Sequence, residues 1–479
     1  MKKILFIVAM FTAQFCQAQW EPDVRLTNDP GISGTSYNNA RCIAASGDTV
    51  HVVWEDNRNG QFEVYYKRSI DGGVSWGSDL QLTNSLNPSQ KPTIAVSGLV
   101  VHVFWYYHQW TGNFEIYYKR SADGGQTWGS DTQLTNANGN SWEVSAAASG
   151  STVHVVWEDS RDSLFLNTEI YYKRSIDGGL TWDDEVQLSD DPYYSGFPSI
   201  AASGSFVHVV WDDNRIGSGS IYYKRSTDEG LSWGEEICLT NGSGDSWMPC
   251  VAASATGVHV AWCDWNDGLQ GEIYYRHSTD NGITWEAIKR LTNSFGDSLF
   301  PSISASGDNV HVVWFDDRLT TVDVFYNHST DCGDCWNTED LCLTNGDSYS
   351  TYPSIVAAGS AVHVVWTDFR DGNDEIYYKR NPTGNLAVGA EEILADNSRQ
   401  SFTIYPNPAS SGIHIRFNDN PTEKSFLTIR NILGETLIVR LIWNNNAVVD
   451  VSKLPNGLCF VEIATPNKQA VSRKLVIRK

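Results

Sequence analysis

The chain has 479 residues, 41% hydrophobic and 19% charged, and its net charge of −23 is unevenly held. Residues 20–395 carry 21 Lys and Arg against 51 Asp and Glu, whereas residues 396–479 carry 11 against 6. So acidic a segment repels phosphate backbones and argues against a nucleic-acid partner. The one continuous apolar run, residues 4–11, is far shorter than the ~20 residues of a membrane span, so the chain reads as not membrane-spanning.

Residues 1–19 read as a signal peptide: Lys2 and Lys3, the apolar run, then a small-residue exit at Ala18. Phe15 before Cys16 is not the small residue that lipidation needs, so export as a soluble protein is expected. A strand-like piece follows, Val24-Arg25-Leu26-Thr27-Asn28. Then one pattern recurs seven times. Its core is Val-His-Val-Val-Trp or a close variant, at His51/Trp54, His102/Trp105, His154/Trp157, His208/Trp211, His259/Trp262, His311/Trp314 and His363/Trp366. Repeats 1 to 6 each offer four period-2 pieces, in the first an inner strand 43–46, a second 50–54, a third 64–68 and an outer 80–83. A period near fifty residues with four strands is the size of a propeller blade. The seventh repeat stops after Tyr377-Tyr378-Lys379-Arg380 with no outer strand, and the N-terminal piece supplies the missing one. Closure removes exposed sheet edges, where an open solenoid would need polar caps. Residues 20–380 are therefore expected to be all-β, a seven-bladed β-propeller closed by an N-terminal strand. Residues 381–400 read as a linker, and the short strand-like runs of 401–479 as a small C-terminal β-sandwich.

Residues that recur in every repeat suit architecture. One His per blade spreads the seven around a ring, so they cannot converge on an ion and are expected to hydrogen-bond between blades; no metal or cofactor site is expected. Five repeats pair Asp with Arg after the core Trp: Asp56/Arg58, Asp159/Arg161, Asp213/Arg215, Asp316/Arg318 and Asp368/Arg370. With acids opening the third strand, such as Glu63 and Glu169, these arginines read as loop braces, the alternative being a ring that binds anionic sugars. Residues that break the pattern are better ligand-binding candidates. They are Arg41, where other repeats have Pro, Lys91, Tyr107, His108, Trp110, Trp142, Glu143, Trp247 and Trp265. Those of repeats 1 to 3 are neighbours in chain order and are expected to share one mouth, where aromatics with a few polar groups suit sugar or peptide. Beyond Cys16 there are eight cysteines, for which Cys250 with Cys263, and Cys332, Cys335 and Cys342, are the local pairing candidates.

Six turns read Ser-x-Asp-x-Gly-x-[Ser/Thr/Cys]-Trp, with the acid at Asp71, Asp123, Asp177, Asp228, Asp280 and Asp331. The motif resembles the Asp-box, or bacterial neuraminidase repeat, of sialidase-like propellers. The resemblance implies that these acids are structural and lie opposite the ligand face. Sialidases usually have six blades, three substrate-clamping arginines, a Tyr/Glu pair and an Asp. Here Arg41 sits near the place of the first arginine without the expected Ile-Pro, and no second or third arginine stands out. Tyr405-Pro406-Asn407-Pro408, Asn431-Ile432-Leu433-Gly434-Glu435, the run from Val449 to Gly457 and the terminal Lys474 to Lys479 resemble the type A sorting domain of type IX secretion cargo, with Cys459 where such domains often have Tyr. That implies passage through the periplasm and engagement of the type IX machinery by 401–479, placing the protein in the medium or on the outer cell surface. The expectation is a glycan- or glycoprotein-binding module. The alternative is an exo-sialidase-type glycoside hydrolase acting on terminal anionic sugars.

Overall fold

The computed structural model describes residues 20–384 and much of 402–479, leaving out short stretches such as 38–40, 109–111, 162–166, 241–244 and 266–269. The expected signal peptide, most of the expected linker and Trp110 therefore lie outside the described residues. The chain divides into two compact units, Met1–Ala387 and Val388–Lys479.

Among the described residues the first unit consists of strands alone, gathered into seven sheets. In repeat 2 the strands Ser89–Ser97, Val100–His108, Phe114–Ser121 and Thr132–Gln133 pair antiparallel in chain order. The same ladder recurs in repeats 3 to 6. In the seventh sheet Val24–Arg25 takes the outer place against Glu375–Asn381, with Val24 opposite Tyr378. The β-branched second strands are buried on both faces because sheet packs on sheet; all seven core tryptophans are almost wholly enclosed. Each inner strand touches the next, and the last, Ser350–Ala358, touches the first, Ile43–Ser46. Between them runs a channel of about 180 Å³, lined by small residues such as Ala44, Ala147 and Ala252.

The seven histidines do hydrogen-bond, but within a blade rather than between blades. His51 Nδ1 lies 2.7 Å from the Tyr66 hydroxyl on the third strand of its own sheet, and the other six repeat this pair at 2.7–2.8 Å. The tyrosine then carries the contact outward. Tyr66 meets Trp128 of the next repeat edge-on at 5.0 Å, and a Cβ on Gly125 would lie 1.9 Å from its hydroxyl. Gly125 also has φ +78°, so glycine is required there twice over. The last seam closes the ring in the same way, with Trp76 on Tyr378 at 4.8 Å. Repeat 7 has no Asp-box tryptophan, and Trp20 fills its place, edge-on to Tyr326 at 5.0 Å.

Near its start each inner strand slips in register, as between Trp142 and Ser145. The slips of repeats 2 to 7 hold Lys91, Glu143, Phe197, Met248, Phe300 and Tyr352 at φ between +46° and +56°, a strained region for side chains of this size. Repeat 1 differs. Its inner strand is split into Ser33–Gly34 and Ile43–Ser46, with five more residues in the gap than the slip of repeat 2.

The second unit has a three-stranded sheet (Phe402–Tyr405, Gly412–Phe417, Asn446–Asp450) and a four-stranded one (Thr436–Ile442, Ser425–Asn431, Gly457–Ala464, Val471–Ile477). Both contribute to one core, with Ile413 and Ile415 from the first and Leu427, Val461 and Leu475 from the second. The eight cysteines past residue 19 are free. The register slip explains the first expected pair: Cys250 faces Ala261 and Cys263 faces Trp247, so the two are not opposite each other.

Candidate functional site

The two ends of the repeat unit use their acids differently. At one end lie the Asp-boxes. Asp71 accepts from the Ser75 hydroxyl and amide and from the Ser69 hydroxyl, at 2.5, 2.9 and 2.7 Å. These bonds, Ser75 first, hold its carboxyl down at about 2. At the other end the Arg58 guanidinium forks onto Asp56 with Nε–Oδ1 2.8 Å and Nη2–Oδ2 2.5 Å, while Nη1 reaches Asp79 at 2.8 Å. The indole of Trp54 donates to the same Asp56. Burial alone would raise the Asp56 carboxyl, but the fork holds it below the usual range. Arg161, Arg215, Arg318 and Arg370 repeat the fork. These arginines are thus braces, each forked onto the Asp of its own loop and tied to acids of neighbouring segments, as Arg58 to Asp29 and Asp79 and Arg370 to Asp23. Their partners differ from expectation: Glu63 accepts instead from the Thr83 hydroxyl of the outer strand.

The expected mouth between these loops falls at the residue after each core Trp, Glu55, Tyr106, Glu158, Asp212, Cys263, Phe315 and Thr367, all of them buried except the half-buried Phe315. Strand alternation turns this side chain away from the Trp–Asp face. The strained residue of the next blade commonly donates its amide to it, as in Lys91 to Glu55 (3.0 Å), Phe197 to Glu158 (3.4 Å), Met248 to Asp212 (3.2 Å) and Phe300 to Cys263 Sγ (3.2 Å). The mouth is consequently lopsided, with acids and tyrosine over repeats 1 to 4 and uncharged residues over 5 to 7.

On the acidic side Lys91 Nζ is 2.8 Å from Glu55 and 4.1 Å from the centre of the Tyr37 ring, which the extra residues of repeat 1 deliver. Tyr37 hydrogen-bonds to Tyr106. Tyr194 donates to Glu158 at 3.3 Å, and the Trp142 side chain bonds the same carboxyl. Burial pushes Glu158 up to about 7 and Asp212 well above the carboxylate range, helped at Asp212 by the charges of Glu158, Asp213 and Glu143. Asp212 is fully buried, and among the described residues its Oδ1 meets no partner. Burial, then Glu143 and Glu55, lifts the Tyr37 hydroxyl to about 12. On the other side Phe300 stacks on Phe315 at 5.2 Å, and Tyr352 stands edge-on to both. Tyr352 also neighbours Tyr37 at 6.0 Å, which joins the aromatic wall to the acidic basin.

Of the residues singled out in the sequence, Lys91, Trp142 and Glu143 come together in this basin. Tyr107 packs against Tyr117 at 5.3 Å. His108 stacks on Phe114, which in turn meets Trp142 at 6.2 Å. The Trp247 indole donates to Asp245, and Trp265 packs beside Gly271. Arg41 lines the channel and donates to the Val251 carbonyl at 2.9 Å. Missed altogether were Tyr37, Glu55, Glu158, Tyr194 and Asp212, although the change of residue type after each Trp is visible in the sequence.

Residues 4–210 match a BNR repeat-like domain, 276–287 a BNR/Asp-box repeat, and 403–478 a secretion system C-terminal sorting domain. The chain thus joins a sialidase-like BNR/Asp-box repeat domain to a type IX sorting domain, which marks it for secretion or the cell surface. No curated protein matches it. Among solved structures it is similar to a polysaccharide lyase, an ulvan lyase, at 12% identity over 74% of this chain and 95% of that one, TM-score 0.52. The polysaccharide lyase Uly1 aligns at 8% identity over 76% and 99%, TM-score 0.51. A Hadza microbial sialidase aligns at 15% identity over 60% of this chain, which spans 63% of that protein, TM-score 0.41. At such identities the likeness is one of fold.

Proposed function

We propose that residues 20–380 form a closed seven-bladed propeller, linked through 381–400 to the sorting domain 401–479, and that the protein is an exported glycan-binding module. The ligand is an uncharged or amino sugar held in the mouth over repeats 1 to 4. One observation carries this reading: the pattern-breaking residues Tyr37, Lys91, Tyr106, Trp142, Glu143, Glu158, Tyr194 and Asp212 converge on one side of a mouth whose other side is aromatic. Aromatic faces suit sugar rings, and buried carboxyls and phenols fix hydroxyl groups. An anionic sugar is disfavoured there, because the loop arginines are occupied and Lys91 is already matched by Glu55. The type IX machinery is the partner of the sorting domain.

A glycoside hydrolase is the second reading, supported by Glu158, a carboxyl raised to about 7 and so able to give up a proton near neutrality. Affinity electrophoresis through neutral, amino-sugar and sialylated or sulfated polysaccharides tests both. Neutral or amino-sugar polymers should retard the protein without being shortened, and Trp142→Ala should weaken retardation at least tenfold. Preference for the anionic polymers, or undiminished binding by the variant, would contradict the proposal. Cleavage abolished by Glu158→Gln would replace it with the hydrolase.

A further inference from the structure

The channel enclosed by the inner strands holds one charged side chain among its lining residues. Alanine, valine and isoleucine line it, with Ser304 as the lone hydroxyl, and then there is Arg41. Arg41 stands just ahead of Ile43–Ser46, where repeats 2, 4, 5, 6 and 7 have Pro92, Pro198, Pro249, Pro301 and Pro353. By chain order that is the end of the channel nearest the mouth. Its Nη2 reaches across to the Val251 carbonyl of another inner strand at 2.9 Å. Among the described residues no carboxylate pairs with it, whereas Arg58 and Arg215 each hold three. Burial weighs against its charge, with the neighbouring Cys250 thiol as the single opposing influence. A guanidinium does not shed its proton in a protein, so this charge persists in the channel. Arg41 is half-buried, and a charge withdrawn from water without a partner is costly unless a counter-ion joins it.

We propose that the channel is an anion site and that its ligand is a halide ion, chloride in ordinary media, resting against Arg41. The walls select the class. Sulfate and phosphate are strongly hydrated and need several charged donors to replace their water, and the lining residues supply one, Arg41. A halide gives up water more readily and matches the weakly hydrated guanidinium. At roughly 30 Å³ per water molecule, the space admits such an ion with a few waters. The ion would tie the inner strands of repeats 1 and 5 together across the channel. The site is independent of the glycan reading, since neither the basin acids nor the aromatic wall takes part.

Thermal unfolding of the full chain tests it, with sodium gluconate replaced stepwise by sodium chloride, bromide or sulfate at constant ionic strength. The midpoint should climb with halide concentration, as it must when a ligand binds the native state alone, and should not climb with sulfate. Arg41→Met should abolish that climb and, in gluconate, unfold no earlier than the parent, since the unpaired charge is gone. A parent midpoint equal in chloride and gluconate, or a variant that still responds to halide, overturns the proposal. If the variant does not fold, bromide-soaked crystals decide: an anomalous peak touching the Arg41 guanidinium is expected, and a channel holding water alone contradicts it.

Discussion

Gly125 shows how much of this molecule is set by single atoms. Its φ of +78° and the Tyr66 hydroxyl, 1.9 Å from where a Cβ would stand, both exclude a side chain. Gly125→Ala should therefore cost about 2–4 kcal/mol, from left-handed strain plus overpacking. Gly98→Ala is the control, since a Cβ there meets nothing within 4 Å and φ +59° leaves the strain alone. Chemical denaturation should rank the two in that order; equal losses would mean that the hydroxyl contact is not formed. The glycine, the Ser-x-Asp turn and the Asp–Arg pairs were all legible in the sequence, because each recurs at blade spacing. The basin was less so. Attention fell on the Asp that repeats two residues after Trp, and the position between them looks like noise until strand alternation turns it toward the mouth. Tyr37 was hidden for another reason: it rides on extra residues that the repeat pattern has no place for.

At the level of elements, the strands were read well wherever β-branched and aromatic residues alternate, and the pairing of Val24–Arg25 with Glu375–Asn381 is in the register the orphan strand requires. What periodicity could not show was the register slip in the inner strands, which separates Cys250 from Cys263 and holds Met248 and Phe300 in strained backbone. Nor could it show Trp20, which lies outside any strand. Trp20 takes the seat of a seventh Asp-box tryptophan on Tyr326, and Arg380 forks onto the adjacent Glu21 at 2.6 and 2.8 Å. Trp20→Ala should thus act like the loss of a core aromatic, lowering stability by about 3 kcal/mol. Limited proteolysis should then cut first in the N-terminal segment. A variant as stable and as resistant as the parent would mean that the seam between repeats 6 and 7 is held by the ladder alone.

On the scale of the whole molecule, seven near-identical sheets make a symmetric frame, and function requires that the symmetry be broken. Among the described residues it is broken at one end by the acids and tyrosines over repeats 1 to 4 and the five additional residues that carry Tyr37 there. The opposite end keeps six similar Asp-boxes, and its departure is at the seventh place, where Trp20 stands in for the box tryptophan. Amide hydrogen exchange of the full chain with and without a saturating glycan, chosen by the electrophoresis assay, tests that division most directly. New protection should fall on residues 35–37, 89–93, 141–144 and 194–197, leaving the turns at 69–76 and 121–128 unchanged. Protection concentrated on those turns, or confined to repeats 5 to 7, would contradict the assignment of the mouth as the ligand site.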